Sequence, residues 1–206
     1  VTSYASTAEL AARLSIDDSY EDAELMLALD AAQAKVDDHC GRTFAQDAAV
    51  TVRTVRAVEP WRLVLDPGMD ISTLTGLIVK TDDNDDGSFE TTWTITTDFE
   101  CESSGYGYNG ASGWPFTQLI AVGTKTWPCL TNRRAVQITA KFGWAAVPAP
   151  VKQATLIIAA EQWKLKDAPF GIAGFGEFGP IRVRDNPAAA ALLARYRHPV
   201  TTAVVA

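Results

Sequence analysis

Between residues 19 and 41 the apolar positions Leu25, Leu29, Ala32, Val36 and Cys40 follow one another at steps of four, three, four and four. That is the 3.6-residue period of one helix face. Glu21, Asp22 and Glu24 put negative charge where the helix dipole favours it, and Gly41 supplies a stop. A shorter helix precedes this one. Ser6 with Glu9 forms a capping box, in which each side chain satisfies an amide that the first turn leaves unpaired, and Leu10 and Leu14 mark its inner face.

Residues 48–145 change period. Runs such as AAVTVRTV, WRLVLD, LTGLIVKT, TTWTITTDFE, TQLIAV and AVQITAKFGW are β-branched or alternating and are separated by turn residues, which predicts antiparallel strands. Helical character returns at Pro148 and Pro150, which suit a first helical turn because its amides have no intrahelical partner. The helix predicted from about Pro150 to Lys166 carries the unbroken apolar run Leu156, Ile157, Ile158, Ala159 and Ala160, so it needs cover on several sides. Beyond Asp167, Pro169, Gly171, Gly174, Gly176, Gly179 and Pro180 break regular structure, while Phe170, Phe175 and Phe178 still ask for burial. A short alanine-rich helix ending in Leu192, Leu193 and Tyr196 follows.

These periods predict an α+β fold: a helical core, made of the N-terminal helix pair and a helix in the C-terminal half, with a β-rich antiparallel insertion and an extended C-terminal arm. The expected parts are residues 1–47, the N-terminal helical part; 48–147, the β-rich insertion; 148–166, the core helix; and 167–206, a docking arm.

Composition narrows the function. The chain has 206 residues, 47% of them hydrophobic and 21% charged, as in ordinary globular proteins. The start VTSYASTAEL has no apolar signal region, and no stretch reaches the ~18 apolar residues of a membrane span. A net charge of −7 argues against a surface built to hold nucleic-acid phosphates, so contact with DNA should be fleeting. Cys40, Cys101 and Cys129 form no CxxC and fit reduced core residues.

Motifs for catalysis are missing. The sequence holds no GxSxG, Walker or HExxH pattern. Its two histidines are His39, beside a helix end, and His198, in what reads as a frayed tail. The carboxylate runs Asp17-Asp18 and Asp37-Asp38 read as wet surface. Gly174, Gly176 and Gly179 spell GxGxxG, but the pattern follows a helix and ends in Pro180, whereas a dinucleotide fingerprint follows a strand and opens a helix. Asp82, Asn84, Asp86 and Gly87 match the opening of a calcium loop, yet the twelfth position, which must be a bidentate Glu, is Trp93. The expectation is therefore no enzyme, no metal and no cofactor.

Three stretches carry a family resemblance. The first is LAARLSIDDSYEDAELMLALDAAQAKVDDHCGRTF, the second FGWAAVPAPVKQATLIIAAEQW, and the third APFGIAGFG followed by IRVRDNPAAAALLARYR. In this order they resemble the head-to-tail connector, or adaptor, proteins of long-tailed bacteriophages, most of all those of actinobacterial phages. The resemblance implies a structural virion protein of the head–tail neck, assembled in the host cytoplasm as a dodecameric homo-oligomeric ring. The ring would sit between the portal protein and the stopper or tail-completion protein and let double-stranded DNA pass, with no membrane involved.

The partner-binding candidates lie on the arm: Phe170, Phe175, Phe178, Leu192, Leu193 and Tyr196 as apolar groups, and Arg182, Arg184, Arg195 and Arg197 as positive charge in an acidic chain. Two other readings remain open. One is another neck ring protein, a stopper or tail terminator. The other is a β-sandwich carbohydrate-binding module that stacks sugars on Trp93, Tyr106, Tyr108 and Trp114.

Overall fold

The computed structural model describes residues 3–17, 21–103, 113–129, 133–165 and 186–198. The chain divides into two compact units. The first comprises residues 1–40 and 147–197, the second residues 41–146 and 198–206. With helices in the one and antiparallel sheets in the other, the fold class is α+β.

The first unit holds α1 (Thr7–Leu14), α2 (Asp22–Cys40), α3 (Ala149–Leu165) and α4 (Pro187–Leu193), the last running into a 3₁₀ turn over Ala194–Tyr196. The capping box opens α1, with the Glu9 amide donating to Ser6 Oγ at 3.2 Å and the Ser6 amide to Glu9 Oε2 at 2.9 Å. In α2 the stripe read from the sequence is the buried one: Leu25, Leu29, Ala32, Val36 and Cys40 all face inward. Gly41, at φ 63°, ends that helix in the left-handed region.

Helix α3 packs against α1, α2 and α4, which is how its apolar run is covered from several sides. Ala159, Ala160 and Trp163 join Leu10, Leu25, Leu29 and Ala32 in one core. Helix α4 is capped by Asn186, whose Oδ1 accepts from the Ala189 amide at 3.0 Å, and Pro187 occupies its first turn.

The second unit carries seven strands among its described residues. Strands β1 (Thr51–Val55), β3 (Ile78–Thr81), β4 (Thr91–Trp93) and β7 (Val136–Ala140) make a four-stranded sheet in the order β1-β7-β3-β4. Strands β2 (Arg62–Val64), β5 (Phe99–Glu102) and β6 (Gln118–Ala121) make a three-stranded sheet in the order β2-β6-β5. Every strand pair is antiparallel. The run TTWTITTDFE, which reads as one strand, is split in two. Thr96 stands at φ 68°, and the Asp98 carboxylate accepts from the Thr94 amide at 2.7 Å, closing a turn between β4 and β5.

Leu63, Leu65, Ile71, Val79, Leu119, Ile138 and Phe142 build the core of this unit together with Trp93 and Trp127. The two indoles stack at 4.1 Å and 10°, and Trp93 Nε1 donates to Thr81 Oγ1 at 3.0 Å. Trp93 is therefore a core residue and no sugar platform. Gly143, just past β7, is required by geometry: at φ 96°, a Cβ there would meet the Ala45 carbonyl oxygen at 1.9 Å.

Leu29 is 3% exposed in the middle of the α1–α2–α3 core. Its replacement by Ala is expected to cost ~2–5 kcal/mol through lost burial and a residual cavity. A denaturant melt followed by circular dichroism checks this, and an unchanged midpoint would take Leu29 out of the core.

Candidate assembly surfaces and the buried Asp70 cluster

Among the arm candidates, Phe170, Phe175, Phe178, Arg182 and Arg184 lie outside the described residues. The remainder sit on or after α4. Leu193 and Tyr196 are buried, Leu192 and Arg197 are half-buried, and Arg195 is exposed. The Arg195 guanidinium lies 5.7 Å from the centre of the Tyr196 ring. The protomer's own packing thus already covers two of the arm's apolar groups.

Two other surfaces expose apolar side chains that the sequence reading passed over. On α2, Met26 and Leu27 are 54% and 68% exposed. Leu27 lies opposite the buried stripe and Met26 on its flank, with Ala23, Ala31 and Ala34 exposed around them. On the four-stranded sheet, Val52 and Ile78 both pair with Thr139, so the three side chains form one row across the sheet. Their neighbours along β1 point the other way: Val55 is buried, and the Arg53 guanidinium covers the Phe142 ring at 4.2 Å. Val50 and Leu74 are exposed as well.

Tyr4 is held against α2 by two polar contacts. Its amide donates to Gln33 Oε1 at 3.1 Å and its hydroxyl to Asp37 Oδ1 at 2.6 Å. Burial pushes the Asp37 carboxyl up to about 6, against the pull of the Tyr4 hydroxyl and with the help of the neighbouring Asp38 charge. Asp37 is therefore more than wet surface: it is a half-buried acceptor tying the N-terminal segment to α2.

In the second unit, four polar groups gather at one closed site. Arg42 Nε lies 3.4 Å from Asp70 Oδ2, and His198 Nε2 lies 3.6 Å from Asp70 Oδ1. The Trp144 indole N–H faces the Asp70 carboxylate and favours its charged form. The Arg42 guanidinium lies 5.7 Å from the centre of the Trp144 ring, which is itself tilted against Phe44 and Trp114. Arg42, Asp70, Trp144 and His198 are all 3% exposed or less, so the cluster has no open path for a substrate and works by fixing structure. Burial raises the Asp70 carboxyl to about 6 although Arg42 and Trp144 pull it down. Burial, joined by the Arg42 charge, lowers the His198 imidazole to about 4. The frayed tail expected at His198 is thus corrected: the residue is a buried partner of Asp70.

The acidic tip between β3 and β4 is a self-closed loop. Asp82 accepts from the Gly87 amide at 2.9 Å and the Asp86 amide at 3.3 Å, while Asp86 accepts from the Ser88 amide at 2.7 Å. Carboxylate oxygens of Asp82, Asp86 and Glu90 come within 4.8 Å of one another. Arg133 brings a positive charge to this loop, 3.3 Å from Asp85 and 3.8 Å from Asp82. Of the three cysteines, Cys40 is buried and Cys101 half-buried, but Cys129 is exposed and so is no core residue. Among the described residues, no helix is long and apolar enough to cross a membrane.

No protein-family model matches the chain, and no curated protein matches it. Solved structures do. One match is a chain in the neck of an empty gene transfer agent particle computed with C6 symmetry, at 20% identity and a TM-score of 0.54, covering 96% of this chain and 93% of that one. Another is a chain in the neck of the native particle computed with C12 symmetry, at 20% identity and a TM-score of 0.53, covering 96% and 92%. The likeness spans nearly the whole of both chains and is one of fold.

Two outcomes are expected. The folded-state pKa of Asp37 stands above its unfolded value, so this group favours folding most at low pH, and the contribution is lost as pH rises through about 6. Asp37→Asn keeps an acceptor for Tyr4 and removes the charge. Its melting temperature should exceed that of the parent protein at pH 7.5 and approach it at pH 4.5; the reverse order would contradict a buried, costly carboxylate. Arg42→Met takes the cationic partner from buried Asp70, for an expected loss of ~3–5 kcal/mol, whereas Arg42→Met with Asp70→Leu should recover most of it. Equal losses in the single and double variants would show that the pairing is not what Arg42 contributes.

Proposed function

We propose that this protein is a structural subunit of a phage-type virion neck, a ring-forming adaptor between the portal protein and the stopper or tail-completion protein. The observation that carries this reading is the end-to-end fold likeness to a neck chain of a particle solved with C6 and C12 symmetry. The resemblance of three sequence stretches to head-to-tail connectors supports it independently, since those stretches lie at both ends of the chain.

On this reading twelve copies form a closed ring, matching the twelvefold symmetry of the related neck. The acidic character of the chain suits a passage through which double-stranded DNA slides without sticking. Residues 1–40 hold nine acidic side chains against Arg13 and Lys35 alone, so that character is concentrated in the N-terminal helices. The arm, with Arg182, Arg184, Arg195 and Arg197, is the portal-docking element, and arginine's bidentate geometry suits carboxylates on the partner. The ring is assembled in the host cytoplasm and carried in the virion.

The test mixes purified protein with portal-bearing, tail-less capsids of the cognate phage and images the vertex. Twelvefold rings at the portal are expected, with attachment reduced at least tenfold by Arg182→Glu combined with Arg184→Glu. A protein that stays monomeric and does not sediment with such capsids would defeat the reading.

A further inference from the structure

We propose that neighbouring copies meet head to tail, the outward face of α2 on one copy lying across the outer face of the β1-β7-β3-β4 sheet on the next. The inference rests on the ring reading and adds the contact that closes the ring.

Helix α2 carries apolar residues on the side opposite its core stripe as well. Its core stripe runs through Leu25, Leu29, Ala32 and Val36. A second series, Ala23, Leu27, Asp30 and Ala34, has the same spacing but is displaced by two positions, roughly 200° around the helix, and all four of its residues are exposed. A helix against solvent carries charge on that side. Here Leu27 and Met26 stand proud of small alanines, a shape that lets a flat partner approach closely, and the charges around them, Asp22, Glu24 and Asp30, are all acidic.

The sheet offers the converse surface. An antiparallel sheet with one face to water alternates apolar inside with polar outside. On this sheet the outward positions of β1 and β3 include Val52 and Ile78, 59% and 47% exposed, on either side of Thr139. Val50 extends the apolar row beyond β1. Lys80 follows Ile78 on the same face, and Lys141 takes the outward place just past β7. None of the described strand residues on this face is acidic: Val52, Thr54, Ile78, Lys80, Thr92, Gln137 and Thr139.

One chain therefore presents an apolar face bordered by carboxylates and, in its other unit, an apolar face bordered by lysines. Two different, complementary patches on each copy are what a heterologous, ring-closing contact needs, whereas a twofold dimer needs one patch that matches itself. A helix lying on a sheet is also a standard way to bury both. Charge then sets the register: the α2 carboxylates would meet Lys80 and Lys141, which favours this pairing over helix on helix, where acid would face acid.

The test uses the full chain with exposed Cys129 changed to Ser, carrying either Leu27→Cys or Ile78→Cys. Under mild oxidation, an equal mixture of the two should give covalent dimer well above either variant alone, and the double variant should give a ladder of larger species. Lys80→Glu should weaken assembly about tenfold, and Asp30→Lys should restore it. Native mass spectrometry of the same samples reads ring formation separately. Rings without cross-linking above the single-variant controls would overturn this contact and leave the ring reading standing. Neither rings nor cross-links at high protein concentration would bring down both.

Discussion

The burial of the Asp70 charge is the constraint on which the second unit depends. The chain passes between its two units at residues 40–41, 146–147 and 197–198. Within three residues of each passage, on the side of the second unit, stands a group that faces Asp70: Arg42, Trp144 and His198. One carboxylate thus gathers three stretches that are far apart in sequence. The backbone joins in, with the Gly143 amide donating to the Asp70 carbonyl at 2.8 Å and the Ala45 carbonyl pressed against Gly143 where only glycine fits. Such an ion pair contributes little net stability, since desolvation offsets most of the Coulomb gain. Its effect is selectivity: an arrangement that pulls the Arg42 stretch away leaves a buried charge unmatched, and one that pulls Trp144 or His198 away strips that charge of a polar neighbour.

The helices were legible because their signals are local. The capping box at Ser6 and Glu9, the stripe on α2 and the stop at Gly41 each need only a few consecutive residues, and each stands where the pattern put it. Pro148 and Pro150 likewise marked the start of α3 to within a residue or two. The strands were legible as runs but less so as units, because the turn at Thr96 depends on one backbone conformation and one carboxylate inside a stretch of uniformly strand-like residues. The Asp70 cluster was invisible. Its other members stand 28 to 128 positions from Asp70, and no periodicity links an arginine after a helix to a histidine near the C-terminal end. The same holds for Trp93, which reads equally well as a stacking surface and as half of a buried indole pair until Trp127 is seen against it.

Helix α2 shows how a correct reading can still be incomplete. The period search finds the stripe that is buried in the protomer and treats the other residues as solvated, because charges are frequent among them. Met26 and Leu27 are the signal it discards. They add nothing to the periodicity of the core face, and their exposure emerges only when the core face is fixed by Leu25 and Leu29 packing on α3. Exposed apolar residues scattered singly need no explanation, but two adjacent ones with exposed Ala23, Ala31 and Ala34 around them form a patch. The same reasoning singles out Val52 and Ile78, which are ordinary strand residues in sequence and become neighbours only through their common partner Thr139.

These surfaces bear on why a fold can persist at 20% identity over 96% of the chain. What a helix or a sheet needs is a pattern of apolar positions, and many sequences satisfy one pattern. An assembly contact is more demanding, since it adds a requirement for apolar residues where a monomer would place polar ones, and for charges of one sign along its border. Such positions work against solubility in the free chain, and the acidic excess of residues 1–40 offsets this. In the proposed ring it would keep free copies apart through the like-charged α2 faces while leaving attractive the approach of α2 to the sheet bearing Lys80 and Lys141, so that repulsion between identical faces would direct the chain away from twofold pairing.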